Sequence, residues 1–194
     1  WSDLGSHWTI MDNYIKPYPI CRWAHAALDA LGHVMQQHGL TENDIAKVEV
    51  RTFAQAAALY PGMPQTTSQA QYSLPFALAA RLVHGRIGPE HIADGGLTDA
   101  RVAQALSKIE VHEDNRHSAR FPLGRWSDVT VHTHAGDRFA SGDIHARGGP
   151  ESPMHLSEVE AKFQTMAAPI ETQRRNAIWG MQSRLLEPDA AFTE

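Results

Sequence analysis

Val129-Thr130-Val131-His132-Thr133-His134-Ala135-Gly136-Asp137-Arg138-Phe139-Ala140 is the stretch that decides the fold. Apolar and polar residues alternate over 129–133, the two-residue period of a strand with one buried face. Gly136-Asp137 then gives a hairpin turn signal before a second alternating run over 139–146, which Gly148-Gly149-Pro150 ends. On this reading His134 lies opposite Phe139 and His132 opposite Ser141. Working outward, 47–53 and Ile109-Glu110-Val111-His112 alternate in the same way. The chain therefore holds several short strands.

Between them the period changes. Ala24, Ala27, Leu28, Leu31, Val34 and Met35 recur at three- and four-residue spacing, which predicts a helix over 21–38 closed by Gly39. A second helix spans 67–84 and is closed by Gly85, with Pro75 either kinking it or marking its real start. A short helix is expected over 89–93, and another over 99–107 with Thr98 as N-cap. Ser157-Glu158-Val159-Glu160 reads as a capping box opening a last helical region, broken near Pro169 and resumed through Trp179 to Leu186. Helices and a few strands, segregated along the chain, indicate the α+β class: a small, mostly antiparallel sheet packed with helices in two layers.

Composition narrows the partners. A chain of 194 residues with 42 % hydrophobic and 20 % charged residues has enough apolar mass for a genuine core. A formal charge of -5 argues against nucleic acid or an anionic membrane as partner. The lone Cys21 excludes an intrachain disulfide framework and Cys-based zinc sites. No apolar run approaches the ~18 residues of a membrane span, and the first residues lack a signal pattern. A reducing, cytoplasmic setting is the expectation. The chain opens on Trp1 rather than methionine, which reads as the edge of a longer protein.

Few residues carry chemistry by spacing alone. Cys21 and His25 stand four apart at a helix start and share a face, where the helix dipole favours a thiolate. They form either a nucleophilic pair or a small buried hydrophobe beside a polar core histidine. Lys16 and Arg22 add positive charge where an anion can bind. His132 and His134 share one strand face, but the hairpin brings no third ligand to close a metal shell, so the expected reading is solvent-facing. His33 and His38 read as polar-face helix residues, and His84 and His91 as helix ends. No phosphate-cradling glycine loop and no Gly-x-Ser-x-Gly elbow occurs.

Three segments in order resemble the second domain of the MmgE/PrpD family, the 2-methylcitrate dehydratase-like proteins. The first is Leu4-Gly5-Ser6-His7-Trp8 leading to Lys16-Pro17-Tyr18-Pro19-Ile20-Cys21, with His25 and Asp29 on the helix that follows. The second runs from Pro64 through Gln69-Ala70-Gln71-Tyr72-Ser73-Leu74-Pro75-Phe76 to Gly85. The third is Gly148-Gly149-Pro150 with Ser157, Glu158 and Lys162-Phe163.

The resemblance implies an all-helical first domain upstream, a smaller α+β second domain, a homodimer, and an active site in the cleft between domains. On that basis 1–15 is the linker from the helical domain, 16–168 the α+β domain, and 169–194 a C-terminal helix and tail. It implies a cofactor-free lyase or isomerase that moves a proton next to a carboxylate of a small polycarboxylate, with neither metal nor organic cofactor. Dehydration of 2-methylcitrate stands ahead of epimerisation of iminodisuccinate, and a non-catalytic domain of this fold is the other alternative. Carried over by motif, Lys16, Tyr18, Arg22, Gln71 and Ser73 would contact substrate, and His25 and Cys21 would be catalytic. A neutral His25 titrating near neutrality beside Lys16 and Arg22 suits a polyanion. Cys21 falls where decarboxylating members place a catalytic histidine and Phe76 where they have a tyrosine, which argues against cis-aconitate decarboxylation.

Overall fold

The structure, a computed structural model, describes residues 2–6, 8–185 and 187. Trp1, His7 of the first motif, and Leu186 with the end of the tail lie outside the described residues. The chain divides into two compact units, Trp1–Pro153 and Met154–Glu194.

In the first unit, α1 (His25–His38) precedes β1 (Ile45–Thr52), and α2 (Ala54–Ala57), α3 (Thr67–Gln71), α4 (Leu74–His84) and α5 (Ala100–Leu106) lead to β2 (Ile109–Glu113). A single turn, α6 (Asn115–Ser118), then leads to β3 (Trp126–Thr133), β4 (Arg138–Ala140) and β5 (Ile144–His145). The strand order is β2-β1-β3-β4, with β5 also on β3. β1 is antiparallel to β3, as are β4 and β5, whereas β2 runs parallel to β1. The sheet is mixed because the helical crossover between β1 and β2 returns the chain in the same direction.

One face of this sheet is the core face. Val48 pairs with Val131 and Val50 with Val129 in the β1–β3 register, and all four are fully buried. α1 packs on β3 and α4, and α4 on α5 and β2, so Leu28, Leu31 and Val34 of α1 meet Leu74 and Leu78 of α4 in one cluster with the strand valines. This is the two-layer α+β arrangement expected from the alternating and helical periods.

The hairpin register differs from the expected one. Val131 faces Phe139 and His132 faces Arg138. Its loop runs from His134 to Asp137, closed by Gly136 N–H to the Thr133 carbonyl at 3.1 Å and Thr133 N–H to the Asp137 carbonyl at 3.0 Å. Gly136 alone takes a left-handed conformation, whereas a two-residue type I′ turn needs two such residues. The run after the turn also divides at Gly142, and β5 pairs with the far end of β3, placing His145 opposite Trp126.

Helix boundaries follow local chemistry. The first helix opens as a 3-10 turn over Arg22–Ala24 before α1, and Gly39 ends it in the left-handed region. Pro75 marks a start rather than a kink: α4 begins at Leu74 with Ser73 as its cap, where a missing N–H costs nothing. α5 is capped by Asp99, which accepts from Arg101 N–H at 2.8 Å, rather than by Thr98, whose hydroxyl donates to the Gly95 carbonyl. The 89–93 segment is a single 3-10 turn, Pro89–His91.

The second unit holds α7 (Leu156–Met166) and α8 (Thr172–Leu185), whose rings Phe163 and Trp179 meet at 5.3 Å between centroids. Glu158 accepts from His155 N–H at 3.0 Å, so the capping pair lies two residues upstream of the Ser157-based box. Among the described residues no helix is long and apolar enough to cross a membrane.

Candidate functional site

The residues from Tyr14 to Cys21 reach the 3-10 turn before α1 through an irregular strip, which Pro17 and Pro19 keep out of helix. Ile15 N–H donates to the Gly148 carbonyl at 2.9 Å. Gly148 has positive φ, and a Cβ there would overlap the Ile15 carbonyl oxygen. A Cβ on Gly149 would press on the Glu151 carboxylate and the Arg22 guanidinium. The two glycines therefore let the loop seat Glu151 against the beginning of α1.

Two arginines and a histidine converge there. Arg22 Nη2 lies 3.1 Å from Glu151 Oε1, and His145 Nε2 lies 3.9 Å from the same oxygen. Arg125 feels Arg22, Glu151 and Tyr14, and its pKa is lowered by burial first and Arg22 second. The Arg22 guanidinium carbon sits 3.5 Å from the Tyr14 ring centroid. The Nε atoms of Arg22 and Arg125 are buried and have no hydrogen-bond partner among the described residues. Such an unmet donor costs about 1–3 kcal/mol. Glu151 is held below the usual carboxylate range by its own backbone N–H, then by Arg22 and His145. Beside it opens a cleft of about 640 Å³ lined by Arg120, Phe121, Leu123, Trp126, His145 and Glu151.

His25 is placed differently from the near-neutral imidazole expected. Its side chain is fully buried. Nδ1 lies 2.9 Å from the Tyr14 hydroxyl and Nε2 3.2 Å from the Ile20 carbonyl. Burial pushes its pKa down to about 3; the Ile20 carbonyl works against this, and Lys16, Arg22 and Arg147 add to it. Both ring nitrogens are engaged, so His25 is not paired with Cys21. The Cys21 thiol is free and half-buried against the core, while its backbone N–H donates to the Gln71 carbonyl at 2.8 Å.

Lys16 is exposed and Gln71 half-buried. Tyr18 and Ser73 are bonded within the fold. Tyr18 is buried and donates to Asp29 Oδ1 at 2.5 Å, with Arg81 donating to its oxygen at 3.3 Å and Arg147 Nε 3.2 Å from the same Asp29 oxygen. Ser73 donates to the Tyr60 carbonyl at 2.7 Å and accepts from Phe76 N–H at 3.2 Å. Arg22 alone of the sequence candidates sits directly in the cation cluster. Tyr14, Arg125, His145 and Glu151 went unread, because none has a spacing that marks it; only the glycine pair before Glu151 was a signal.

Among the described residues the histidine hairpin gathers no ligand set, and His132 is paired with Glu49 at 3.6 Å. Among the described residues the one group with ligand atoms near enough to hold a metal is His117, Asp128 and Asp143. Arg116 pairs with both aspartates and Arg120 reaches Asp143 at 2.7 Å, so guanidinium groups already supply the positive charge.

A model of the MmgE/PrpD C-terminal domain family matches residues 18–185. No curated protein matches the chain.

Proposed function

Since the chain belongs to the MmgE/PrpD family, whose C-terminal domain it carries, we propose that it supplies the carboxylate-binding half of a cofactor-free lyase or isomerase acting on a small polycarboxylate. The observation that carries this reading is the convergence of two guanidinium groups on one carboxylate: Arg22 is paired with Glu151, and the Glu151 charge also acts on Arg125. A cluster that holds one carboxylate is chemically suited to hold another.

The reaction we favour is dehydration of a 2-methylcitrate-type hydroxy acid. A base takes the proton on the carbon next to a carboxylate, and the electron pair left behind is spread into that carboxylate. Two guanidinium groups stabilise the added negative charge where it develops. The hydroxyl on the adjacent carbon then leaves as water with one proton from an acid, and a C=C bond forms. Epimerisation of an iminodisuccinate-type substrate uses the same first step, followed by return of a proton to the opposite face.

His25, engaged at both nitrogens and with a pKa near 3, is a poor direct base at neutral pH. That favours proton carriers on an upstream helical domain across the inter-domain cleft, in a homodimer. It is also the observation that supports the second reading, a non-catalytic domain of this fold.

Steady-state kinetics of the full-length protein with 2-methylcitrate separate these. Arg22→Gln is expected to lower kcat/KM by roughly 100-fold, the loss of one charge-assisted hydrogen bond. Turnover unchanged by the substitution overturns the carboxylate role of Arg22, and no turnover by the unsubstituted protein supports the non-catalytic reading.

A further inference from the structure

The hydrogen-bond directions around Tyr14 are fixed by the groups behind it. The Ile20 carbonyl can only accept, so His25 Nε2, 3.2 Å away, carries the ring hydrogen. A buried, neutral imidazole with hydrogen on Nε2 leaves Nδ1 as a bare lone pair. The Tyr14 hydroxyl, 2.9 Å from Nδ1, must therefore turn its only proton inward to His25. A phenol that has donated its one proton can only accept further bonds.

Its surroundings are of opposite character. The Arg22 guanidinium covers the Tyr14 ring and also reaches its oxygen as a donor, and Arg125 acts on the same phenol, so one of the two acceptor positions of the oxygen is left for a ligand. These cations, with Lys16 two residues along, are donors for carboxylate oxygens. A carboxylate aimed at the Tyr14 oxygen would meet only lone pairs. A hydroxyl group of the ligand meets an acceptor.

We propose that Tyr14 is a specificity-determining residue that accepts a hydrogen bond from a substrate hydroxyl, and that His25 is the positioning residue that keeps it an acceptor. The site then takes a hydroxy-polycarboxylate in preference to the same carbon skeleton without the hydroxyl. This rests on the polycarboxylate reading and adds to it the group by which substrate is told from its hydroxyl-free analogue. Holding the hydroxyl by its hydrogen also leaves its oxygen lone pairs open to the acid that releases water.

Citrate and tricarballylate test this directly, because they differ by that one hydroxyl. Calorimetric titration of the full-length protein is expected to give citrate roughly tenfold tighter than tricarballylate, the effect of one net hydrogen bond. Tyr14→Phe should weaken citrate to the tricarballylate level and leave tricarballylate unchanged. His25→Phe frees the Tyr14 proton to donate to a carboxylate of either ligand and should shrink the same preference, and since a general loss of structure weakens both ligands, the ratio of the two affinities is the readout. If His25→Phe fails to fold, the Tyr14→Phe ratio decides. Equal binding of the two ligands by the unsubstituted protein, or a Tyr14→Phe effect equal on both, overturns the role of Tyr14 while leaving the polycarboxylate reading in place. Binding of neither ligand overturns both.

Discussion

His25 shows how one residue's role depends on neighbours that spacing does not reveal. Its position on the helix after Lys16-Pro17-Tyr18-Pro19 was legible, whereas the shared helix face with Cys21 does not form, because Cys21 precedes the 3-10 turn and is not helical. Its burial and its bonds to Tyr14 and Ile20 were not legible, because Tyr14 belongs to an irregular strip with no period. The consequence is a pH dependence of definite sign. The native pKa of about 3 lies below the ordinary histidine value of 6.5, so between these two the unfolded chain binds the extra proton. The stability tied to a neutral His25 is complete above about pH 6.5 and is lost as pH falls toward 3. Its size is on the order of 5 kcal/mol. Urea midpoints should fall steadily from pH 6.5 to pH 4, and the His25 ring resonances should show no titration over that range. A ring that titrates near pH 6.5 contradicts the buried assignment.

At the scale of elements, the strands and helices were readable because β1, β3, α1 and α4 each follow a simple period. Val48 and Val50 against Val131 and Val129 are the two-residue alternation made into paired contacts. The parallel pairing of β2 was not readable, since alternation says nothing of direction. The hairpin register failed for a related reason: one left-handed glycine permits more than one loop length, and the loop length sets the register. Ser73 illustrates a polar residue whose role is local. It caps α4 and also holds the Tyr60 carbonyl. Ser73→Ala is expected to cost about 1–3 kcal/mol, a lost cap plus an unsatisfied buried carbonyl, measured as a lower urea midpoint with citrate affinity unchanged. An affinity loss without a stability loss would instead make Ser73 a ligand contact.

For the molecule as a whole, the family could be read from three motifs in order, and the match over residues 18–185 agrees with it. The proposed anion-binding centre could not be read so easily. It is assembled from Arg22 at the start of α1, Arg125 just before β3, His145 on β5 and Glu151 beyond the glycine pair, positions far apart in sequence that meet only after the sheet has formed. Its cations have donors to spare and its buried histidine is inert at neutral pH, which suits a half-site that grips substrate while proton carriers come from elsewhere. We propose that this grip serves proton removal next to a carboxylate. Incubating the full-length protein with 2-methylcitrate in D2O and following it by proton NMR tests it most directly. Protein-dependent loss of the methine or methylene proton beside a carboxylate is expected, with olefinic product accumulating, and strong suppression of both in Arg22→Gln. A spectrum unchanged after prolonged incubation, with 2-methylcitrate shown to be bound, would contradict it.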